Sequence, residues 1–270
     1  MAARKGLWDR TLDLGRALGE GVVDTGQAAV YLRQLMRGNR AAPSLVDLPR
    51  GAASSSPPVL LIHGFLANRG SVHLLERRLT EHHHVVMTYR LGPLHLGDIR
   101  DSSAFIAGKV QSLAAQTGVQ KVDIVAHSMG GLVALDYVKR HGGAPNVRRL
   151  VLLGTPSHGT WSALLGIVTA PLGRGGRQLL PGSDFLRDLE QAPMPPGPQV
   201  VTVAGNRDWL APPSTTFVPG ARHLEVAAGH TGLLVDEAVA DTIAEILAAP
   251  DDRAGAPDGA QADQVAGKIV

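Results

Sequence analysis

Ser128 stands in the stretch Val122-Asp123-Ile124-Val125-Ala126-His127-Ser128-Met129-Gly130-Gly131, where a β-branched apolar run meets small residues and then an apolar helical pattern from Leu132. That layout predicts a strand, a sharp turn and a helix, with the serine on the turn. A free serine hydroxyl is a weak nucleophile. It becomes a useful one when the backbone thrusts it toward a base and sets amide N–H groups beside it. Such a turn demands small residues two positions to either side, where strand and helix cross, and Ala126 and Gly130 meet that demand. The general pattern is G-x-S-x-G, so Ala126 is a sterically mild departure. A glycine-rich turn with a capping serine is the plainer account of the same residues. The partners of the serine decide between the two.

A nucleophilic serine needs a base, an acid that orients it and donors for an oxyanion. The run Val59-Leu60-Leu61-Ile62 leads straight into His63-Gly64-Phe65-Leu66. Gly64 lets the chain turn so that the N–H of Phe65 faces the elbow, and with the N–H of Met129 it makes a two-donor hole. A later run ending at Val203-Ala204 delivers Gly205-Asn206-Arg207-Asp208, and Asp208 is the expected orienting acid. A turn-forming role is the plainer account of that aspartate. The last expected strand, His223 to Ala227, is followed by Gly229-His230-Thr231-Gly232, which makes His230 the expected general base. Ser128, Asp208 and His230 come in the chain order of a hydrolase triad built on an open α/β sheet.

Stepping residues of this kind to one place requires strands that end together. Val59 to Ile62, Val85 to Tyr89, Lys121 to Val125, Val147 to Leu153, Gln199 to Ala204 and His223 to Ala227 read as strands. Between them, Ser71 to Thr80, Asp98 to Gln116, Leu132 to His141 and Ala238 to Ala248 read as helices. Ile99, Phe105, Ile106, Val110 and Leu113 are expected to face inward. Strands alternating with helices predict a mostly parallel, doubly wound α/β sheet over 59–249, with ligands at the carboxyl ends of its strands. Residues 1–40 read as an amphipathic N-terminal helix, 41–58 as a Pro/Ser-rich linker and 250–270 as a disordered tail. The helix is expected to pack on the main domain or hang loosely from it, or else to lie on a membrane surface through its flanking arginines. Its deletion is expected to spare turnover of short esters. Arg148 and Arg149 read as solvated faces.

With 270 residues, 44% of them apolar, the chain has ample material for one sizeable domain. It has no cysteine, which excludes disulfides, thiolate metal ligands and a cysteine nucleophile. A net charge of +2 and 4% aromatic residues argue against a nucleic-acid partner. His82-His83-His84 has no further ligand spaced to close a metal site, so no metal or cofactor is expected. Charges interrupt the N-terminal apolar residues and no run reaches the length of a membrane span. A cytoplasmic protein is expected, with peripheral membrane contact through the N-terminal helix.

The ordered motifs Leu61-Ile62-His63-Gly64-Phe65, Ala126-His127-Ser128-Met129-Gly130-Gly131, Gly154-Thr155-Pro156 and the His230 loop resemble the α/β-hydrolase superfamily. Within it, the chain is similar to the bacterial lipases and esterases with an A-H-S-M-G-G elbow. The resemblance covers about residues 57 to 248. It implies the triad and the oxyanion donors named above, and makes His63 and His127 structural hydrogen-bonders. Residues 160–197 form an insertion where that fold carries its cap. Trp161, Leu164 and Leu165, with Leu66 beside the hole, are the expected substrate contacts. An apolar, glycine-punctuated flap suits an acyl chain; a helix closing the core of a small-substrate esterase is the alternative. A carboxylic-ester hydrolase acting on lipid or other acyl esters is the leading expectation. A thioesterase or acyltransferase uses the same residues, and an inactive membrane- or protein-binding module is the reading from another class.

Overall fold

The continuous apolar runs of the sequence become strands of one parallel sheet, because a strand covered by helices on both sides must be apolar on both. The strands are β1 (Val59–Ile62), β2 (Val86–Thr88), β3 (Val122–His127), β4 (Val147–Leu153), β5 (Gln199–Gly205) and β6 (Arg222–Val226), with a two-residue β7 (Gly267–Lys268). β6 is the exception to the apolar rule, an Arg222-His223-Leu224-Glu225-Val226 strand in which only Leu224 is buried. Their order is β2-β1-β3-β4-β5-β6-β7, every pairing parallel. The computed structural model describes residues 23–38, 57–92, 96–161, 173–250 and 267–268. Most of the expected N-terminal helix, linker and tail lies outside the described residues. β7 falls inside the stretch expected to be a disordered tail; its pairing with Leu224 and Glu225 covers the β6 edge, which would otherwise present unpaired backbone groups.

The helices are α1 (residues 23–35), α2 (His73–Glu81), α3 (Ile99–Thr117), α4 (Met129–Arg140), α5 (Arg174–Gln178), α6 (Asp184–Gln191), α7 (Gly232–Val235) and α8 (Glu237–Ala248). Asp98 starts α3 by accepting from the N–H of Arg100, and Gly118, left-handed at φ 76°, ends it. The period of two along each strand sorts the core into two layers. Leu60, Ile62, Ile124, Ala126, Leu150 and Leu152 face α3, α4 and α6. Val59, Leu61, Val125, Val151, Val203 and Leu224 face α2, α7 and α8. Phe105 is a correction to the expected inward face of α3: it is 40% exposed. Ile99, Ile106, Val110 and Leu113 hold the buried stripe, and Phe105 sits a position off it, with the Lys109 ammonium 5.1 Å from its ring centre.

Arg149 is a second correction, for it is 1% exposed rather than solvated. Its guanidinium donates to the carbonyls of Leu247, Ala249 and Pro250, where α8 ends, and to Gln199. A cation suits a helix carboxyl end, whose last carbonyls lack intrahelical donors. Asp123 completes this knot from β3, fully buried, accepting from both sides of the Arg148 fork and from the Arg149 N–H. Asp123→Ala leaves the fork without its carboxylate. We expect a loss of about 3 kcal/mol of unfolding free energy by urea titration, at the low end for breaking a buried pair because Arg148 retains some solvent. A loss under 1 kcal/mol would show that the knot is energetically idle.

Candidate active site

The strand order reverses between β1 and β3: the chain moves outward from β1 to β2, then crosses back to β3. That reversal opens a crevice at the carboxyl ends of β1 and β3. The loop 63–66 leaves β1 there, and Ser128 leaves β3 there. Ser128 has φ 56° and ψ −127°, a backbone that L-residues rarely adopt. Such strain persists where the surroundings over-determine it, and it clusters at functional sites. Here the Ser128 N–H donates to Leu153 O at 2.9 Å while its carbonyl accepts from Gly131. A Cβ at Gly130 would stand 2.7 Å from the carbonyl oxygens of both Ile62 and His63, so the start of α4 crosses β1 at a distance only glycine permits. Ala126 bears no such constraint. Its methyl is fully buried in the first core layer, which is why alanine serves at that position.

The loop after β1 runs directly over the serine: a Cβ on Gly64 would lie 2.9 Å from the Ser128 Cβ. The next residue, Phe65, packs its ring against the first core layer. Leu66 is left-handed at φ 54°. Met129, the first residue of α4, has no intrahelical acceptor for its N–H. Its buried side chain lies under α5, within 3.0 Å of where a Gly175 Cβ would be. Helices α5 and α6 occupy the described part of the insertion, and Phe185, Leu186 and Leu189 of α6 are buried in the first core layer. Trp161 is 68% exposed, and Leu164 and Leu165 lie outside the described residues.

At the carboxyl ends of β5 and β6, His230 and Asp208 come together. The His230 Nδ1 lies 2.7 Å from Asp208 Oδ2. The other carboxylate oxygen of Asp208 accepts from the N–H groups of Leu210 and Ala211 at 2.9 and 2.8 Å. With one oxygen locked by two backbone donors, the second is aimed at the imidazole. The Asp208 side chain is fully buried and that of His230 is 12% exposed. Gly154, at the end of β4 with φ 51°, makes room: a Cβ there would lie 2.9 Å from Asp208 Oδ2 and 3.3 Å from His230 Nδ1. In the sequence Gly154 stands out only as part of the Gly154-Thr155-Pro156 motif, which does not point to this role. The signal available was a glycine immediately after a buried strand.

His127 connects the serine turn to the base. Its ring centre is 4.5 Å from that of His230, and its Nε2 lies 3.0 Å from the His230 carbonyl oxygen. A carbonyl only accepts, so Nε2 carries the proton and donates. Burial, then the neighbouring His230 imidazole, holds His127 well below the ordinary histidine range, so it is neutral in the folded protein. Burial lowers His84 and His223 likewise. At these three histidines the unfolded chain therefore binds more protons than the folded one below about pH 6.5, and their contribution to stability falls as pH drops through that value. Replacing His127 with glutamine keeps a donor for the His230 carbonyl and removes the titration. Urea unfolding between pH 7.5 and 5.5 should show a slope shallower than the parent's by up to about 1.4 kcal/mol per pH unit. Equal slopes would refute a buried neutral His127.

A family model described as alpha/beta hydrolase fold matches residues 57–183. In fold the chain is similar to the mature lipase BlEst2 of Bacillus licheniformis, with TM-score 0.59 and 18% identity over 70% of this chain and 91% of that one. It is similar to the monoacylglycerol lipase of Paleococcus ferrophilus, with TM-score 0.53 and 16% identity over 71% of this chain and 95% of that one. For lipase B of Aspergillus fumigatus the TM-score is 0.58 and the identity 16%, over 73% of this chain and 55% of that one. At these identities the likeness is one of fold.

Proposed function

The chain has the α/β-hydrolase fold, and from that premise we propose that it is a serine carboxylic-ester hydrolase acting on lipid or other acyl esters. The observations that carry this reading are the 2.7 Å pair of His230 Nδ1 and Asp208 Oδ2 and a serine held at φ 56° next in the chain to His127, whose ring centre is 4.5 Å from that of His230. Because Asp208 accepts from Nδ1, the Nε2 of His230 is left unprotonated, ready to take a proton. His230 takes the Ser128 Oγ proton as Oγ bonds to the ester carbonyl carbon. The amides of Phe65 and Met129 hold the oxyanion. Collapse breaks the C–O bond and the alcohol leaves with the proton from His230. Water, deprotonated by His230, then cleaves the acyl-enzyme, and the acid departs as Oγ recovers its proton.

Two exposed indoles support an apolar substrate. Trp209, 66% exposed, follows Asp208, and Trp161 follows Thr160, whose hydroxyl donates to Leu210 O at 2.6 Å. Leu66, Trp161, Leu164 and Leu165 are the proposed substrate contacts. Among the described residues no helix is long and apolar enough to cross a membrane. Peripheral membrane contact from the cytoplasmic side is proposed on separate ground, the exposed Val30, Leu32 and Met36 of the α1 segment beside Arg33 and Arg37. A fluorophosphonate probe and p-nitrophenyl esters of graded chain length test the reading. Labelling at Ser128 with long-chain turnover identifies a lipase, and turnover confined to short chains an esterase. Labelling with turnover of acyl thioesters alone would favour the thioesterase alternative. Absence of labelling would overturn the hydrolase reading.

A further inference from the structure

α1 stands apart from the sheet in sequence, yet its contacts converge on the loops that carry the acid and the base. The Asp24 carboxylate receives three hydrogen bonds from the Arg207 guanidinium, at 3.1 to 3.2 Å. Arg207 immediately precedes Asp208. The same carboxylate lies 3.5 Å from where a Gly229 Cβ would be, and Gly229 immediately precedes His230. Gln27 donates to Asp236 Oδ2 at 2.8 Å, at the start of α8 just beyond the base loop. The acid and base loops are themselves joined, through Asn206 N–H to Val226 O at 2.9 Å and Arg207 N–H to Ala228 O at 3.2 Å. At its other end α1 meets the loop that follows Phe65: Asn68 donates to Leu35 O at 2.9 Å, and the Gly70 N–H to Gly38 O at 3.0 Å. Tyr31 packs against the second core layer between these ends.

A helix of this length spans about 20 Å, enough to reach from one side of the nucleophile to the other. We propose that α1 is a positioning strap for the active site, in which Asp24, through Arg207 and against Gly229, holds the Asp208 and His230 loops in register. This rests on the reading of Ser128, Asp208 and His230 as a triad. It reverses the expectation that residues 1–40 are dispensable for short esters. A bidentate arginine–carboxylate pair fixes orientation as well as distance, and the two side chains are only 19% and 32% exposed, which limits screening. A base displaced by a fraction of an ångström loses rate without losing substrate affinity.

The test uses the full chain and Asp24→Asn, which keeps the side-chain shape, with Arg207→Met and the double variant. kcat on a short p-nitrophenyl ester should fall about tenfold in each, with KM within about twofold. The double variant should be no slower than the worse single one, since both remove one interaction. A second readout needs no turnover: the far-downfield proton resonance of His230 Nδ1–H, identified by its loss in His230→Gln. It should broaden or shift in Asp24→Asn while the thermal midpoint moves little. Unchanged kcat and unchanged resonance in Asp24→Asn would overturn the strap. A parent protein that no fluorophosphonate labels would overturn the triad reading instead, while the resonance still reports whether α1 holds the His230–Asp208 pair.

Discussion

Ser128→Ala is expected to abolish fluorophosphonate labelling and to lower kcat on a short p-nitrophenyl ester by on the order of 10⁶-fold. Ser128 holds the strained turn where β3 passes into α4, at the crevice between β1 and β3, so removing its hydroxyl removes the proposed nucleophile. Alanine keeps the Cβ and the backbone strain, so the elbow, the Ser128 N–H bond to Leu153 and the start of α4 persist. Stability should stay within about 0.5 kcal/mol of the parent, as for a substitution that creates neither cavity nor buried orphan. Residual turnover would come from the amides of Phe65 and Met129 and from substrate binding, worth about 10³- to 10⁴-fold over solution. Parent-like turnover in Ser128→Ala would refute an acyl-enzyme on this serine.

Asp208→Asn should cost about 10⁴-fold in kcat with the fold intact. The size of the effect follows from how the carboxylate is held. Oδ1 is fixed by the N–H groups of Leu210 and Ala211, which only donate, so the asparagine must put its oxygen there and its NH₂ toward His230. An NH₂ facing Nδ1 forces the imidazole to carry its proton on Nε2, the atom that should take the serine proton. The base is then present, in place and in the wrong tautomer. Steady-state rates at neutral pH, with thermal unfolding as the control, check this. A loss below tenfold would mean that Asp208 only shapes its turn, the plainer account its sequence also admits.

Much of the architecture could be read from local pattern. The buried strands are visible because burial on two faces forbids polar residues, and β4 falls on Val147–Leu153 as the pattern predicts. The elbow is visible because steric crowding at a strand–helix crossing restricts residue size, and Gly130 carries that restriction in its identity. Arg148 and Arg149 were illegible. An arginine that will be buried against helix-end carbonyls has the same composition and neighbours as one in water, and its acceptors lie about a hundred residues away. Phe105 was misplaced because an apolar residue beside a helical stripe fits that stripe nearly as well as one within it.

Local residue pattern suffices for the main alternation of strands and helices, for the turn that bears Ser128, and for an aspartate and a histidine just after the last two long strands. These are constraints between near neighbours, and size or hydrophobicity at a given spacing encodes them. It takes the packed fold to show that Asp208 turns one oxygen to His230, that Gly154 leaves room for the pair, that His127 holds the base's carbonyl, and that Asp24 reaches across 183 positions to Arg207. Each of those depends on where distant segments meet once the sheet has twisted and both faces are packed, and no local preference of the chain records it.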